Sequence, residues 1–169
     1  MKKKKTGKSA LEASFDYLAL KPRTVREVED RLDSLNYGEY EVYEAVERLK
    51  ELGYLDDAKY AADFASSRLS SKPVSRRKLR EQLYSHNISG ESIEAALSGV
   101  DDSTELGNAI AVAEKFYRQF EGQEERERRR RVARRLEGRG YGYDIIRASL
   151  EAVCGGSEDL GEAFTEEGE

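Results

Sequence analysis

An apolar frame that recurs three times constrains this 169-residue chain more than any other feature. When the sequence is aligned with itself at an offset of 51 residues, Leu32 aligns with Leu83. At a further offset of 53 residues, Leu83 aligns with Leu136. The positions matched around these leucines are largely apolar, and the first and third copies also share a Tyr-Gly pair. A period of about 50 residues lies in the range of helical repeats. We therefore predict three tandem units.

Each copy is predicted to contain three helices. In the first copy, Thr24 and Glu27 form a capping-box pattern that starts a middle helix, and Asn36-Tyr37-Gly38 ends it. In the third copy, Phe116 and Phe120 belong to the apolar stripe of the first helix. No segment alternates long enough to predict a strand. Because one such unit is too small to be stable alone, we predict an all-α fold of three tandem three-helix repeats that form an elongated, curved array.

Charge separates the repeats from two predicted tails. The first eight residues contain five lysines, and the last fifteen contain six acidic side chains. Both tails are expected to be disordered and to aid solubility, although the lysines could also attract phosphate without specificity. The predicted segments are a basic tail (1–8), repeat 1 (9–55), repeat 2 (56–101), repeat 3 (102–154) and an acidic tail (155–169).

The composition argues against chemistry and favours binding. No run of about 18 apolar residues occurs, and no apolar stretch follows the N-terminal lysines, so we expect no membrane span, no secretory signal and a cytoplasmic protein. The single cysteine, Cys154, excludes an internal disulfide and a multi-cysteine zinc site, and the single histidine, His86, excludes a metal motif with two histidines. No phosphate-binding glycine motif is present. We expect no metal, no cofactor and no catalytic residue.

Basic residues are concentrated in the middle helices of the second and third copies. In the third copy, Arg128, Arg131 and Arg135 share one face, and the arginines of that helix are expected to point outward because Val132 and Leu136 point inward. One interpretation is a solvated helix neutralised by nearby glutamates. The other is a surface for nucleic acid or an acidic protein groove, since guanidinium forks match phosphate and carboxylate. The candidate contact residues are Arg76, Arg77, Arg80, Arg128, Arg131 and Arg135.

Two strings of residues carry a resemblance to a known family. The first spans the end of the first copy and the start of the second, and it consists of Gly53, Tyr54, Leu55, Asp56, Asp57, Tyr60, Phe64 and Arg68. The second is Gly140-Tyr141, followed by Ile145-Ile146 and Leu150. Over residues 9–153 the chain resembles the RecX family of bacterial recombination regulators. Asn87 stands where the family commonly has glycine, and asparagine tolerates the same left-handed backbone.

The resemblance implies an inhibitor of the RecA recombinase that is not an enzyme. It implies binding in the groove of the RecA–single-stranded DNA filament, suppression of ATP hydrolysis and strand exchange, and filament disassembly. Such a protein acts in DNA repair, recombination and the SOS response. The expected partners are the RecA filament and single-stranded DNA, with the DNA bound weakly or through the filament, and the chain is expected to be a monomer.

Two other functions stay open at this point. A stand-alone DNA-binding module is one, since three-helix units with basic middle helices resemble helix-turn-helix folds, and its DNA affinity would depend steeply on salt without RecA. An enzyme with an unrecognised site is the other. It would need a pocket with perturbed carboxylates, and the sequence offers no candidate for one.

Overall fold

The computed structural model describes residues 7–155 and contains, within them, nine α-helices and no strand. The predicted all-α fold of tandem three-helix repeats is confirmed, whereas the elongated, curved shape of the array stays a prediction. Most of both predicted tails lies outside the described residues. None of the described helices combines the length and apolar character needed to cross a membrane. The helices are α1 (Ala10–Leu18), α2 (Val25–Ser34), α3 (Glu39–Glu51), α4 (Asp57–Ser71), α5 (Arg76–Ser85), α6 (Gly90–Leu97), α7 (Asp102–Gln119), α8 (Glu125–Glu137) and α9 (Tyr143–Cys154).

The predicted start of α2 is confirmed at atomic detail. The Glu27 backbone N–H donates to Thr24 Oγ1 (3.3 Å), and the Thr24 N–H donates to Glu27 Oε2 (3.2 Å). Ser9 and Glu12 form the same reciprocal pair at the start of α1. These contacts satisfy backbone N–H groups that have no partner inside the helix.

The three middle helices, α2, α5 and α8, end in the same way. Each is followed by a residue with positive φ, namely Asn36 (63°), Asn87 (58°) or Gly140 (86°), which confirms that Asn87 adopts the left-handed conformation. The next backbone N–H then donates to the carbonyl of a buried leucine, which closes the helix. These bonds join Tyr37 to Leu32 (3.2 Å), Ile88 to Leu83 (3.3 Å) and Tyr141 to Leu136 (3.3 Å).

The described residues form two compact units. Unit 1 comprises residues 7–65 and 81–97, and unit 2 comprises residues 66–80 and 98–155. The second predicted repeat contributes to both, because α4 and α5 each have residues in each unit. The predicted repeat boundaries therefore stay a prediction.

Each unit has its own apolar core. In unit 1, Leu32 of α2 and Leu49 of α3 are fully buried. In unit 2, Leu136 of α8 and the α9 residues Ile146 and Leu150 are at most 1% exposed. Burying one such side chain contributes about 1.5–3 kcal/mol, so these predicted apolar stripes hold the helices together.

Successive repeats are joined by carboxylates that cap a distant helix. In unit 1, Asp57 of α4 accepts the backbone N–H of Val25 at the start of α2 (2.9 Å). In unit 2, Glu105 of α7 accepts the backbone N–H of Arg76 at the start of α5 (2.9 Å). Because a helix N-terminus favours negative charge, each carboxylate links one repeat to the one before it.

Candidate functional site

Three of the candidate arginines lie on one face of α8, and each covers an aromatic ring from α7 or from Phe120, the residue that caps its C-terminus. We call Arg128, Arg131 and Arg135 the arginine strip. The distances from the guanidinium carbon to the ring centroid are 3.4 Å for Arg128 over Tyr117, 5.7 Å for Arg131 over Phe120 and 5.4 Å for Arg135 over Phe116. All lie within the range in which a cation is attracted to an aromatic face.

Further contacts hold two members of the strip. Arg128 is half-buried and its Nε donates to the backbone carbonyl of Tyr117 (2.7 Å). Arg131 is exposed, and its Nε donates to Glu127 Oε1 (2.9 Å), a bond that holds the pKa of the Glu127 carboxyl below its usual value. Arg135 is exposed to solvent beside the Phe116 ring. The strip therefore combines fixed cations with solvent access.

The expectation that the arginines of α8 point outward is wrong for Arg129. Its side chain is buried, and its Nε donates to Glu125 Oε1 (3.1 Å). The Tyr117 hydroxyl also donates to Glu125 (2.9 Å), and this bond lowers the pKa of the Glu125 carboxyl and raises the pKa of Tyr117. The Arg129 side chain therefore bonds to the first turn of α8 and is not exposed to solvent.

The other candidates lie at the start of α5. Arg76 forms ion pairs with Glu105 (Nε to Oε2, 2.9 Å) and with Asp102, and the Glu105 hydrogen bond raises the pKa of the guanidinium. Arg77 is exposed and donates to the Gly140 carbonyl (3.4 Å), while Arg80 is half-buried. The structure thus brings all six candidates into unit 2, with Arg76 engaged in its internal network.

The two units carry opposite charge. Among the described residues, unit 1 has 8 basic and 17 acidic side chains, a formal charge of −9. Unit 2 has 17 basic and 11 acidic side chains, a formal charge of +6. An anionic partner would be attracted to unit 2 and repelled by unit 1.

The residues of the first family string have structural roles in unit 1. Gly53 (φ 74°) ends α3, and Leu55 is buried in the core. Asp56 accepts the Lys59 N–H (2.9 Å) and so starts α4, beside the Asp57 cap described above. Tyr54 is exposed, with its ring packed edge-on against another aromatic side chain of the unit. The string therefore marks the junction between repeats 1 and 2.

His86 completes this junction. Its ring centroid lies 5.6 Å from that of Tyr60 and 5.5 Å from that of Phe64, and its Nδ1 lies 3.3 Å from Glu27 Oε1. Arg68, the last residue of the string, is half-buried in the part of α4 that belongs to unit 2. These residues pack helices together, and the structure does not gather them into the arginine strip.

Within residues 7–155 no three His, Cys, Asp or Glu side chains are placed to hold a metal ion. Burial raises the pKa of the half-buried Cys154 thiol, the opposite of the shift that activates a cysteine nucleophile. In an open groove of unit 1, the carboxylates are engaged with neighbours: Glu44 with Tyr40, Glu47 with Lys50 and Glu51 with Arg48.

The rings beneath the arginine strip were not predicted as functional. The sequence pattern placed Phe116 and Phe120 in an apolar stripe, and both do pack in the core of unit 2. Their second contact, with arginines of the following helix, depends on how α7 and α8 cross. The available signal was the aromatic run Phe116, Tyr117 and Phe120 directly before an arginine-rich helix.

Comparisons with known proteins agree on one family. The first, second and third three-helix domains of RecX match residues 10–49, 56–97 and 103–150 in that order. A regulatory protein RecX of Clostridium botulinum (strain Alaska E43 / Type E3) is 33% identical over 138 residues, which cover 80% of this chain and 64% of that protein. One from Chlorobium phaeobacteroides (strain BS1) is 28% identical over 146 residues, covering 86% of this chain and 94% of that protein.

The fold is also similar to a solved structure. A crystal structure of RecX from Lactobacillus salivarius superposes with a TM-score of 0.73 and 24% sequence identity, covering 85% of this chain and 94% of that one. At that identity the likeness shows the fold. The chain spans about three fifths of the length of the first curated relatives it matches, including 58% of a RecX of Bacillus pumilus (strain SAFR-032).

Proposed function

Because this chain belongs to the RecX family of regulatory proteins, we propose that it inhibits the RecA recombinase by binding in the groove of the RecA–single-stranded DNA filament. The observation that carries the proposal is the match of all three family domains in order along the chain. In this proposal the protein acts in the cytoplasm as a monomer, by binding rather than by catalysis. It suppresses ATP hydrolysis and strand exchange and favours filament disassembly.

The candidate arginines supply the contacts in this proposal. The filament carries DNA phosphates and acidic protein side chains, and guanidinium groups bind both. Arg77, Arg131 and Arg135 are exposed in the positively charged unit 2, which supports a role for them in attachment. Arg76 and Arg80 are more buried, so we propose that they support the surface, whereas the half-buried Arg128 contacts the partner as part of the arginine strip.

Attachment at several points explains how modest contacts could inhibit a filament. When one contact is made, the next becomes intramolecular, and the combined affinity exceeds that of any single contact if the geometry permits. A ligand shifts a conformational equilibrium only if it binds one state more tightly than the other. We therefore propose that the protein binds preferentially a filament state that hydrolyses ATP slowly.

The test is a titration of the protein into RecA assembled on single-stranded DNA, with ATP hydrolysis as the readout. We expect hydrolysis to fall as the protein approaches the concentration of RecA binding sites, and strand exchange to fall in parallel. Unchanged hydrolysis and strand exchange at stoichiometric excess would remove the proposal.

A stand-alone DNA-binding module remains the second candidate, because the arginine strip alone could attract DNA. Binding to single-stranded DNA without RecA, measured across salt concentrations, separates the two. For phosphate contacts the affinity falls steeply as salt rises. Tight, salt-dependent DNA binding together with no effect on RecA would favour the module over the RecA inhibitor.

A further inference from the structure

The geometry points to Phe116, Tyr117 and Phe120 as positioning residues that hold the arginine strip for the phosphates of a single-stranded nucleic acid. This inference deepens the proposed function and rests on it for the identity of the anionic partner. It assigns a second role, besides packing, to two rings of α7 and to the ring of the residue that follows this helix. The rings order the guanidinium groups, and the positions of the arginines along α8 set the spacing between the cations.

The rings fix the guanidinium planes. A free arginine samples many rotamers, and ordering it on binding costs conformational entropy. Here the guanidinium carbon of Arg128 lies 3.4 Å from the Tyr117 centroid, and the Arg128 Nε donates to the Tyr117 carbonyl, so that side chain is already ordered. A cation held before binding loses less entropy when the phosphate arrives.

The rings are themselves held in place. Phe116 and Phe120 stack with centroids 6.2 Å apart, and both pack in the core of unit 2. The Phe116 ring also lies 5.5 Å from the guanidinium carbon of Arg139, whose Nη1 donates to the Pro73 carbonyl (2.9 Å). The strip therefore lies on rings that are themselves packed against the core of unit 2.

The spacing of the strip suits a linear polyanion. Arg128, Arg131 and Arg135 follow the helix axis at intervals of roughly 4.5 and 6 Å, given a rise of 1.5 Å per residue. A row of cations on one face matches a chain of phosphates better than it matches a compact anion. Because every nucleotide presents the same phosphate, the strip would bind without sequence preference.

The geometry requires arginine rather than positive charge in general. A lysine ammonium is a compact, strongly hydrated point charge that neither stacks as a plane nor donates as a fork. If the strip acts only through its net charge, lysine will replace arginine without loss. If the rings position the guanidinium groups, the lysine variant will bind the nucleic acid more weakly although its net charge is unchanged.

The experiment measures binding of the full chain to fluorescein-labelled oligothymidylate by anisotropy at several salt concentrations. Tyr117→Leu removes a ring and Tyr117→Phe keeps it, while R131K/R135K keeps the charge and removes the forks. Tyr43→Leu, at an exposed tyrosine of unit 1, is the matched control. Circular dichroism verifies that each variant is folded.

We expect Tyr117→Leu to bind about fivefold more weakly, the factor expected from one lost cation–π contact, and Tyr117→Phe and Tyr43→Leu to bind like the wild type. R131K/R135K should bind about tenfold more weakly at every salt concentration, with an unchanged salt slope because the number of ionic contacts is the same. A merely structural role for Tyr117 would not explain loss in the lysine variant, whose rings are intact.

Three outcomes would overturn the inference. One is wild-type affinity in both Tyr117→Leu and R131K/R135K, which would show a strip that acts through diffuse charge. Another is wild-type protein that does not bind the oligonucleotide. The third outcome applies if Tyr117→Leu does not fold. In that case R131K/R135K alone tests the inference, and wild-type affinity in this variant would overturn it. RecA inhibition is measured separately, so a wild-type protein that binds as expected but leaves RecA unaffected contradicts only the proposed function.

Discussion

The first and third repeats have the same core and opposite outer faces. Their middle helices, α2 and α8, bury the equivalent pairs Val28–Leu32 and Val132–Leu136 completely. Outside these positions α2 carries more acidic than basic residues, whereas α8 is dominated by arginine. Both helices keep these two buried apolar positions, and α8 also buries Arg129. The other positions differ in charge between the two helices.

The aromatic partners differ in the same way. In repeat 1, Tyr17 lies 4.1 Å from the guanidinium carbon of Arg23 and 5.7 Å from that of Arg31. In repeat 3, two rings of α7 and the ring of its C-cap residue underlie the arginine strip. The first arrangement packs one loop and one helix around a single ring, whereas the second extends along a helix face. Both repeats therefore place arginine on an aromatic ring. The candidate site differs because its arginine–ring contacts form a row along a helix.

The helix ends offer the largest test of how far the repeats are equivalent. Asparagine serves at positions 36 and 87, but a Cβ at Gly140 would lie 2.6 Å from Ser75 Oγ and 3.0 Å from Lys78 Cβ. We therefore expect Gly140→Asn to cost about 3 kcal/mol of unfolding free energy through overpacking. Asn36→Gly should cost less than about 1 kcal/mol, since glycine accepts the same backbone. Urea denaturation measures both, and equal costs would show that Gly140 is needed only for its φ.

Alkaline pH should affect the third repeat through Tyr141. Burial raises the pKa of this phenol to about 12 from its usual value near 10. The folded protein therefore keeps the proton to higher pH than the unfolded chain, so stability is lost as pH rises from 10 toward 12. At pH 11 the loss from this group is about 1.4 kcal/mol. We expect Tyr141→Phe to lose less stability than the wild type between pH 9 and pH 11, about the range that spans its ordinary ionisation. Parallel losses in both proteins would exclude this assignment.

The equivalent tyrosines should respond differently to loss of their hydroxyls. Tyr37 donates to the Lys8 carbonyl (2.8 Å), whereas the buried Tyr141 hydroxyl has no hydrogen-bond partner within residues 7–155. At neutral pH, Tyr37→Phe should cost about 1 kcal/mol, the usual net value of a hydrogen bond, and Tyr141→Phe should be neutral or stabilising. Thermal unfolding of the two variants measures the difference. A larger cost for Tyr141→Phe would mean that its hydroxyl is satisfied in solution.

Local sequence rules predicted the frame of the molecule well. The Thr24–Glu27 capping box and the left-handed turn at Asn87 each depend on a few neighbouring residues, and both are confirmed. The buried positions of the middle helices followed from helical periodicity alone. These features were predictable because the interacting groups lie within about one or two helical turns of each other.

Contacts between distant residues were not predictable in this way. The Asp57–Val25 and Glu105–Arg76 caps join residues 32 and 29 positions apart. Periodicity placed Arg128, Arg131 and Arg135 on one face, but it could not show which rings lie beneath them. The burial of Arg129 was not predictable, because several glutamates lie near the arginines of α8 and the sequence does not show which of them pairs with a buried guanidinium. These pairings and the burial of individual arginines depend on how the helices pack against each other.

We propose that the outer face of α8, and not positive charge in general, binds the RecA filament. R131E/R135E tests it while leaving the half-buried Arg128 intact. R26E/R48E is the matched control, because it makes the same charge change at two exposed arginines of unit 1 that also pair with nearby carboxylates.

The measurement is RecA ATP hydrolysis on single-stranded DNA, titrated with the wild type and with each folded double variant. We expect R131E/R135E to lose the ability to inhibit RecA ATP hydrolysis, while R26E/R48E inhibits it like the wild type. Equal inhibition by all three proteins, or equal loss in both variants, would contradict it.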